Sequence, residues 1–182
     1  MSTRPDFQEF TKIYRLRRPV IITEKIDGTN ASVWVPEDDT EPLCAGSRNR
    51  WITPEADNMG FARWVKANEA ELRKLGPGLH YGEWMGLGIQ RGYGLKEKRF
   101  YLFNVGRWNE ENRPACCHIV PKLAEFPTLD IALIETMLEA LQIGGSRAAP
   151  GFMKPEGIVV FHEQSGYMFK VTLDGDGHKG AK

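Results

Sequence analysis

The run "TEKIDGTNASVWV", Thr23 to Val35, sets a lysine inside an apolar segment, two residues ahead of Asp27-Gly28. A buried ammonium group is costly unless it is paired, neutralised or used. Lys25 therefore either faces water from a surface strand or is kept as a nucleophile. On a strand, residues two apart share a face. That puts Asp27 on the side of Lys25 and Glu24 on the other, with Gly28 free to make a tight turn. Three further stretches hold groups of chemical interest. "HYGEWMG" places Glu83 near a strand end with glycines on both sides, and "RFYLFNV" is an aromatic strand containing Phe103. "KPEGIVVFHEQSGYMFKV" opens one hairpin strand at Glu156-Gly157 and carries Lys170 on the other. Each also has an ordinary reading: solvent-facing strand ends for the two glutamates, a core ring for Phe103, an edge-strand gatekeeper for Lys170. KxDG alone recurs by chance about once per several thousand positions.

The elements that must position these groups are legible in outline. Val20 to Ile26 and Ala31 to Val35 are β-rich runs flanking Asp27-Gly28, a dipeptide that favours a tight turn. Acidic "PEDDTEP" follows as an exposed loop. A helix is predicted from Thr53-Pro54, a cap followed by proline at the first helical position. Phe61, Trp64, Val65, Leu72 and Leu75 form its buried face, and Gly76-Pro77-Gly78 ends it. A second helix is predicted over Leu129 to Leu141, with Ile131, Ile134, Leu138 and Leu141 in step. Further strands are expected at Leu79 to Trp84, Phe100 to Val105, Gly157 to His162 and Tyr167 to Leu173, the last two joined by "EQSG". Strands and helices do not alternate regularly and hairpins are frequent, so the expected class is α+β with antiparallel sheets and flanking helices. Neither GxGxxG nor GxxxxGK[ST] occurs.

Composition narrows the setting. The 182 residues carry 24 basic and 24 acidic side chains, 41% hydrophobic and 26% charged, as in ordinary globular proteins. Zero net charge gives no general support for nucleic-acid binding but leaves room for a local basic surface. No apolar run is long enough for a bilayer, and "MSTRPDFQEF" lacks the apolar core of a secretion signal. Cys44 stands alone and Cys116-Cys117 are adjacent, which suits neither a disulfide framework nor a CxxC clip; four scattered histidines show no zinc spacing. The expectation is a reduced, cytoplasmic protein without a structural metal.

In order along the chain come KxDG, an aromatic-Gly-Glu strand, an aromatic strand, EGIVV and a lysine strand. That series resembles the covalent nucleotidyltransferases: ATP-dependent DNA and RNA ligases and the GTP-dependent mRNA capping enzymes. "EKIDGTN" and "YLFNV" look most like the RNA ligase branch, and the resemblance runs from about Val20 to Leu173. It implies the ATP-grasp-like nucleotidyltransferase domain of nucleic acid ligases. Lys25 would attack the α-phosphate of ATP, giving a lysyl-adenylate and pyrophosphate, and the attack requires a neutral amine. Asp27 would orient Lys25 or metal-bound waters, and Glu24 would meet the adenine edge through backbone or side chain. Arg48, in "GSRNR", would contact the ribose and terminal phosphate region. Glu83 would accept from a ribose hydroxyl, and Phe103 would stack on adenine. Glu156 would hold Mg²⁺ (or Mn²⁺), chiefly through water. Lys170 would neutralise the α-phosphate during transfer, and Asn30 would help place the nucleic-acid end.

Two features depart from that pattern. Many ligases carry KxK on the last motif strand, whereas Met168 and Thr172 flank Lys170 at that spacing; Lys179 or Lys182 in "HKGAK" would have to compensate. After Leu173 only nine residues remain, too few for an OB-fold or a C-terminal domain. The expectation is one minimal domain over residues 1–182, a monomer, acting on RNA ends held in a nicked duplex, with an accessory protein as the fallback. Basic residues in "IYRLRRP" and "GIQRGYGLKEKR" are candidates for phosphate contacts, with solvated loops as the alternative. A nucleotide-sensing or RNA-end-binding module without turnover, and an adenylyltransferase completed by a partner, are the competing readings. The DNA ligase reading is weaker.

Overall fold

The computed structural model describes residues 12–13 and 17–174. Tyr14 to Leu16 of "IYRLRRP" and the tail lysines Lys179 and Lys182 lie outside the described residues. Two sheets face one another. One has four antiparallel strands in the order β10 (Tyr167–Thr172), β9 (Gly157–His162), β1 (Val20–Lys25), β8 (Lys122–Phe126). The other has six, in the order β4 (Trp51–Ile52), β3 (Cys44–Ser47), β2 (Thr29–Val35), β5 (Gly78–Gly86), β6 (Lys98–Leu102), β7 (Cys117–Ile119). All pairs are antiparallel except β6 with β7. The α+β class and its antiparallel sheets are as the sequence predicts.

Each sheet buries one face against helices, as its alternation requires. Ala31, Val33 and Val35 of β2 point to one side, where Phe61 and Val65 of α1 (Phe61–Ala67) and Leu72 of α2 (Glu69–Leu72) close the larger core with Trp84 and Phe100. Val20 and Ile22 of β1, with Ile158 and Val160 of β9, meet Ile134 and Leu141 of α3 (Ile131–Gly144). A third cluster (Ile26, Met85, Tyr93, Tyr101, Val120, Ala148, Ala149) sits between the sheets, at the base of the cleft their other faces form. Among the described residues no helix is long and apolar enough to cross a membrane.

The helical predictions need correction at their ends. The first helix begins at Phe61 rather than at Thr53-Pro54. Thr53 does accept from the backbone of Ala56, but this closes only a local turn. Asp57 caps the helix instead, its carboxylate accepting from the backbone N–H of Ala62 and Arg63. Asn68 then interrupts the helix before the α2 turn. The second helix starts two residues later than predicted, where the Asp130 side chain accepts from Ala132 N. Ile131, expected in its buried stripe, is exposed. Strand β6 ends at Leu102; Phe103 still donates its N–H to the Tyr81 carbonyl of β5 (3.1 Å), and the chain turns away only at Asn104 and Val105.

The largest correction concerns Asp27-Gly28. β1 pairs with β8 and β9, and β2 with β3 and β5, so the dipeptide closes no hairpin. It carries the chain from one sheet to the other, and so lies in the cleft.

Candidate active site

Lys25 is the last residue of β1, and its register partner on β9 is Gly157. Glu156, one residue earlier, is thereby delivered to the lysine: Lys25 Nζ and Glu156 Oε1 form an ion pair with side chains only 21% and 15% exposed. The second carboxylate oxygen, Glu156 Oε2, is buried and has no hydrogen-bond partner among the described residues. Buried polar atoms are seldom left so, and an orphan acceptor marks a place for a cation or an ordered water. The glycine of the Glu-Gly pair is fixed by space, since a Cβ at Gly157 would stand 2.0 Å from the Val171 carbonyl oxygen.

Across the cleft, Gly28 donates its N–H to Glu83 Oε1 at 3.1 Å. A Cβ at Gly28 would lie 2.5 Å from the Trp84 carbonyl oxygen, so only glycine lets the crossover pass this close to β5. Glu83 stands opposite Asn30 of β2 and Tyr101 of β6, on the sheet face turned away from α1. Burial pushes its carboxyl up to about 7; the Lys25 ammonium and the Gly28 N–H pull it down, and the Glu156 and Asp27 carboxylates push it further up. Lys25, Asp27, Glu83 and Glu156 thus share one electrostatic neighbourhood. Phe103, just past β6 and half-buried, packs against the inter-sheet cluster that includes Ile26 and Met85.

The other predicted residues are placed differently. Glu24 is 1% exposed and faces away from Lys25, as strand alternation requires. Its carboxylate accepts from Ser146 Oγ (2.6 Å), Arg147 N (2.7 Å) and Ala148 N (2.9 Å), and its own N–H donates to the Pro121 carbonyl. Arg48 is exposed in the β3–β4 turn, where with Thr29, Ser47, Asn49, Arg50 and Asn58 it lines a cavity of about 280 Å³. Lys170 on the edge strand β10 is exposed; its register through Val159 to Thr23 puts it on the same sheet face as Lys25.

Arg91, read from the sequence only as a candidate phosphate contact in "GIQRGYGLKEKR", is a clamp within the site. It donates to Asp27 Oδ2 (2.9 Å) and to the carbonyls of Lys154 (3.2 Å) and Pro155 (3.4 Å), and pairs with Asp174. One guanidinium therefore ties the crossover after Lys25 to the segment that presents Glu156. The loop holding it, between β5 and β6, has left-handed backbone at Gln90 and Tyr93, and the Tyr93 hydroxyl accepts from Asp27 N at 2.9 Å. The sequence signal was the loop's basic residues and its glycine density beside Glu83; neither pointed to Asp27 as the partner. Asp27 itself lies beyond the end of β1, and its carboxylate is held by Arg91.

Among the described residues no three acidic, histidine or cysteine side chains converge as a metal cage. The orphan oxygen of Glu156 suits Mg²⁺ or Mn²⁺ held by one carboxylate, with water or phosphate oxygens completing the shell.

The family model for RNA ligase matches residues 18–172, from the start of β1 to the end of β10. The chain belongs to the RNA ligase family. No curated protein sequence matches it. Among solved structures, an apo variant of a Naegleria gruberi RNA ligase superposes with a TM-score of 0.62 at 22% identity, covering 88% of this chain and 51% of that one. A second variant of that ligase, solved with ATP and Mn, gives 0.62 and 22%, covering 87% and 50%. A third, with AMP and Mn, gives 0.61 and 21%, covering 88% and 51%. At such identity the superpositions establish the fold, the RNA ligase nucleotidyltransferase fold, and this family member spans about half the length of those chains.

Proposed function

We propose that this chain is an ATP-dependent RNA ligase that works through a lysyl-adenylate on Lys25 of its nucleotidyltransferase domain. The observation that carries the reading is the Lys25–Glu156 pair: a shielded lysine at a strand end, held by a carboxylate whose second oxygen is buried without a partner among the described residues. Family membership supports it, as do the ATP, AMP and Mn bound by the similar Naegleria ligase.

The nucleophile must be the neutral amine, so the Lys25–Glu156 pair has to part before attack. Lys25 Nζ then forms a bond to the α-phosphorus while the bond to the bridging oxygen breaks, pyrophosphate leaves, and the amine gives up its proton. Glu156, through Oε2, would hold Mg²⁺ or Mn²⁺, which supplies positive charge beside the phosphates when bound. Phe103 would lie against the adenine, Glu83 would take a ribose hydroxyl, and Arg48 and Lys170 would reach phosphate from the two margins of the cleft. Glu24 would act through the adenine-facing backbone it holds, its carboxylate being spent on residues 146–148. AMP would pass to an RNA 5′-phosphate, and a 3′-hydroxyl, placed with help from Asn30, would displace it to form the phosphodiester. A nicked duplex makes the smallest demand on the protein, because the complementary strand already holds the ends together.

A second reading concerns the later steps: the chain would adenylylate itself and rely on an accessory protein to grip RNA for sealing.

The test is to incubate the protein with Mg²⁺ and ATP labelled at the α-phosphate, and to look for label on the denatured chain. Label is expected on the wild type and absent from Lys25→Ala and Lys25→Arg, since a guanidinium stays protonated. AMP found on another lysine by mass spectrometry would sink the assignment. Sealing of a nicked RNA duplex at low salt separates the stand-alone enzyme from the partner-dependent one.

A further inference from the structure

The cleft-side face of the six-stranded sheet continues outward from the nucleotide site, and its next row is aromatic. Strand register lines up Tyr81, Ser32, Gly46 and Trp51 across β5, β2, β3 and β4. That row is one step from the pair Glu83–Asn30 on the same face. Tyr81 is 53% exposed and Trp51 58% exposed, although both sit within strands. The residues between them are small, and Trp51 uses the space. Its six-membered ring lies 3.3–3.4 Å from where a Gly46 Cβ would stand, and that position is also 2.3 Å from Ser32 Oγ. The indole is thus seated over Gly46 while much of its surface stays in water. Trp34, opposite Cys44 and Leu79, is 40% exposed one row further out.

Three aromatic side chains on one sheet face thus leave ring surface in water. Its charge setting says what fits. Arg48 and Arg50 lie in the β3–β4 turn that leads into Trp51; both are exposed, and neither makes an ion pair among the described residues. Together with Thr29 and Asn58 they line the 280 Å³ cavity, and Thr29 opens β2 directly after the Asp27-Gly28 crossover. At the opposite end, the acidic loop holding Glu37, Asp38, Asp39 and Glu41 follows β2 directly. A polyanion is welcome at the arginine end and repelled beyond Trp34. Aromatic faces beside cations are the general solution for single-stranded nucleic acid, where bases stack and phosphates pair.

We propose that Trp51 and Tyr81, flanked by Arg48 and Arg50, form a platform on which two or three unpaired RNA bases stack beside the break to be joined. The proposal rests on the ligase reading for its link to catalysis. It adds a substrate preference: breaks bordered by unpaired nucleotides are gripped better than fully paired nicks.

The test uses fluorescein-labelled octauridylate with a 5′-hydroxyl, and the same label on a blunt RNA duplex of that length, both read by anisotropy at 50 mM salt. The wild type is expected to bind octauridylate the more tightly. Trp51→Ala and Tyr81→Ala should each weaken it about ten-fold, and Trp51→Phe only slightly. With two phosphates contacted, affinity should fall roughly seven-fold between 50 and 200 mM salt. Trp51→Leu keeps apolar bulk but has no ring, and its melting curve reports whether the fold survives. Wild-type affinity in Trp51→Leu would overturn the proposal, as would equal affinity for the two probes. Concentration-dependent self-association lost in Trp51→Leu would give the face to a second copy of the chain and also overturn it. The two readings fail separately. A protein that takes label from ATP but has no preference for unpaired RNA loses the platform. One that prefers octauridylate but takes no label keeps the platform and loses the ligase.

Discussion

Glu24 and Glu156 flank the same lysine, one in sequence and one across the sheet, and the fold treats them in opposite ways. On the helix-covered side of β1, both Glu24 oxygens are engaged by the hydroxyl and two N–H groups of residues 146–148. On the cleft side, among the described residues, Glu156 has one oxygen on Lys25 and the other buried with no partner. Glu83 has a single donor for its charge among the described residues and is pushed up to about 7. A carboxylate with its donors supplied by backbone is a latch, and its value is in stability. Carboxylates desolvated but left short of donors are costly in the empty protein, and a ligand can relieve that cost.

The sharpest way to break this contrast is to remove Glu156. Glu156→Ala should lower self-adenylylation on the order of 100-fold or more while leaving the melting temperature near that of the wild type, with partial recovery in Mn²⁺. Unchanged rates at limiting Mg²⁺ would remove Glu156 from the metal shell. Glu24→Ala should do the reverse. It strands three donors, two of them fully buried, so a loss of about 3 kcal/mol is expected, read as a lowered denaturant midpoint at unchanged slope. A Glu24→Ala protein as stable as the wild type would mean that the latch contributes nothing.

Glu83 sharpens the comparison through pH. Its carboxyl titrates at about 7 in the native state against an ordinary 4.5. Between those values the native state keeps a proton the unfolded chain has lost, so stability falls as pH rises through that window, by about 3 kcal/mol in all. Glu83→Gln stays neutral and keeps an acceptor for the Gly28 N–H. Nucleotide-free Glu83→Gln should therefore melt above the wild type at pH 8 and match it near pH 4, while self-adenylylation is weakened. Identical melting profiles from pH 4 to 8 would show that the burial of Glu83 carries no penalty.

Much of this site was legible in the sequence because it depends on local rules. Strand alternation alone separates Lys25 from Glu24, and it put the two on opposite faces before any tertiary contact was known. The order of the KxDG, Glu83, Phe103, Glu156 and Lys170 stretches carried the family. The α+β class followed from hairpins and irregular alternation. Local signals also misled where a longer-range partner overrode them: Thr53-Pro54 makes a turn because Asp57 caps the helix, and Asp27-Gly28 crosses between sheets instead of closing a hairpin. Only the tertiary structure decided which groups share a dielectric environment. Register on β9 brings Glu156 to Lys25, the crossover sets Glu83 beneath Gly28, and Arg91 arrives from a loop 64 residues along the chain to hold Asp27. Residue type and spacing fix which side of a strand a group takes, since that is a property of the backbone. Whether its charge is answered depends on desolvation and on donors from distant segments, and those exist only once the sheets have paired.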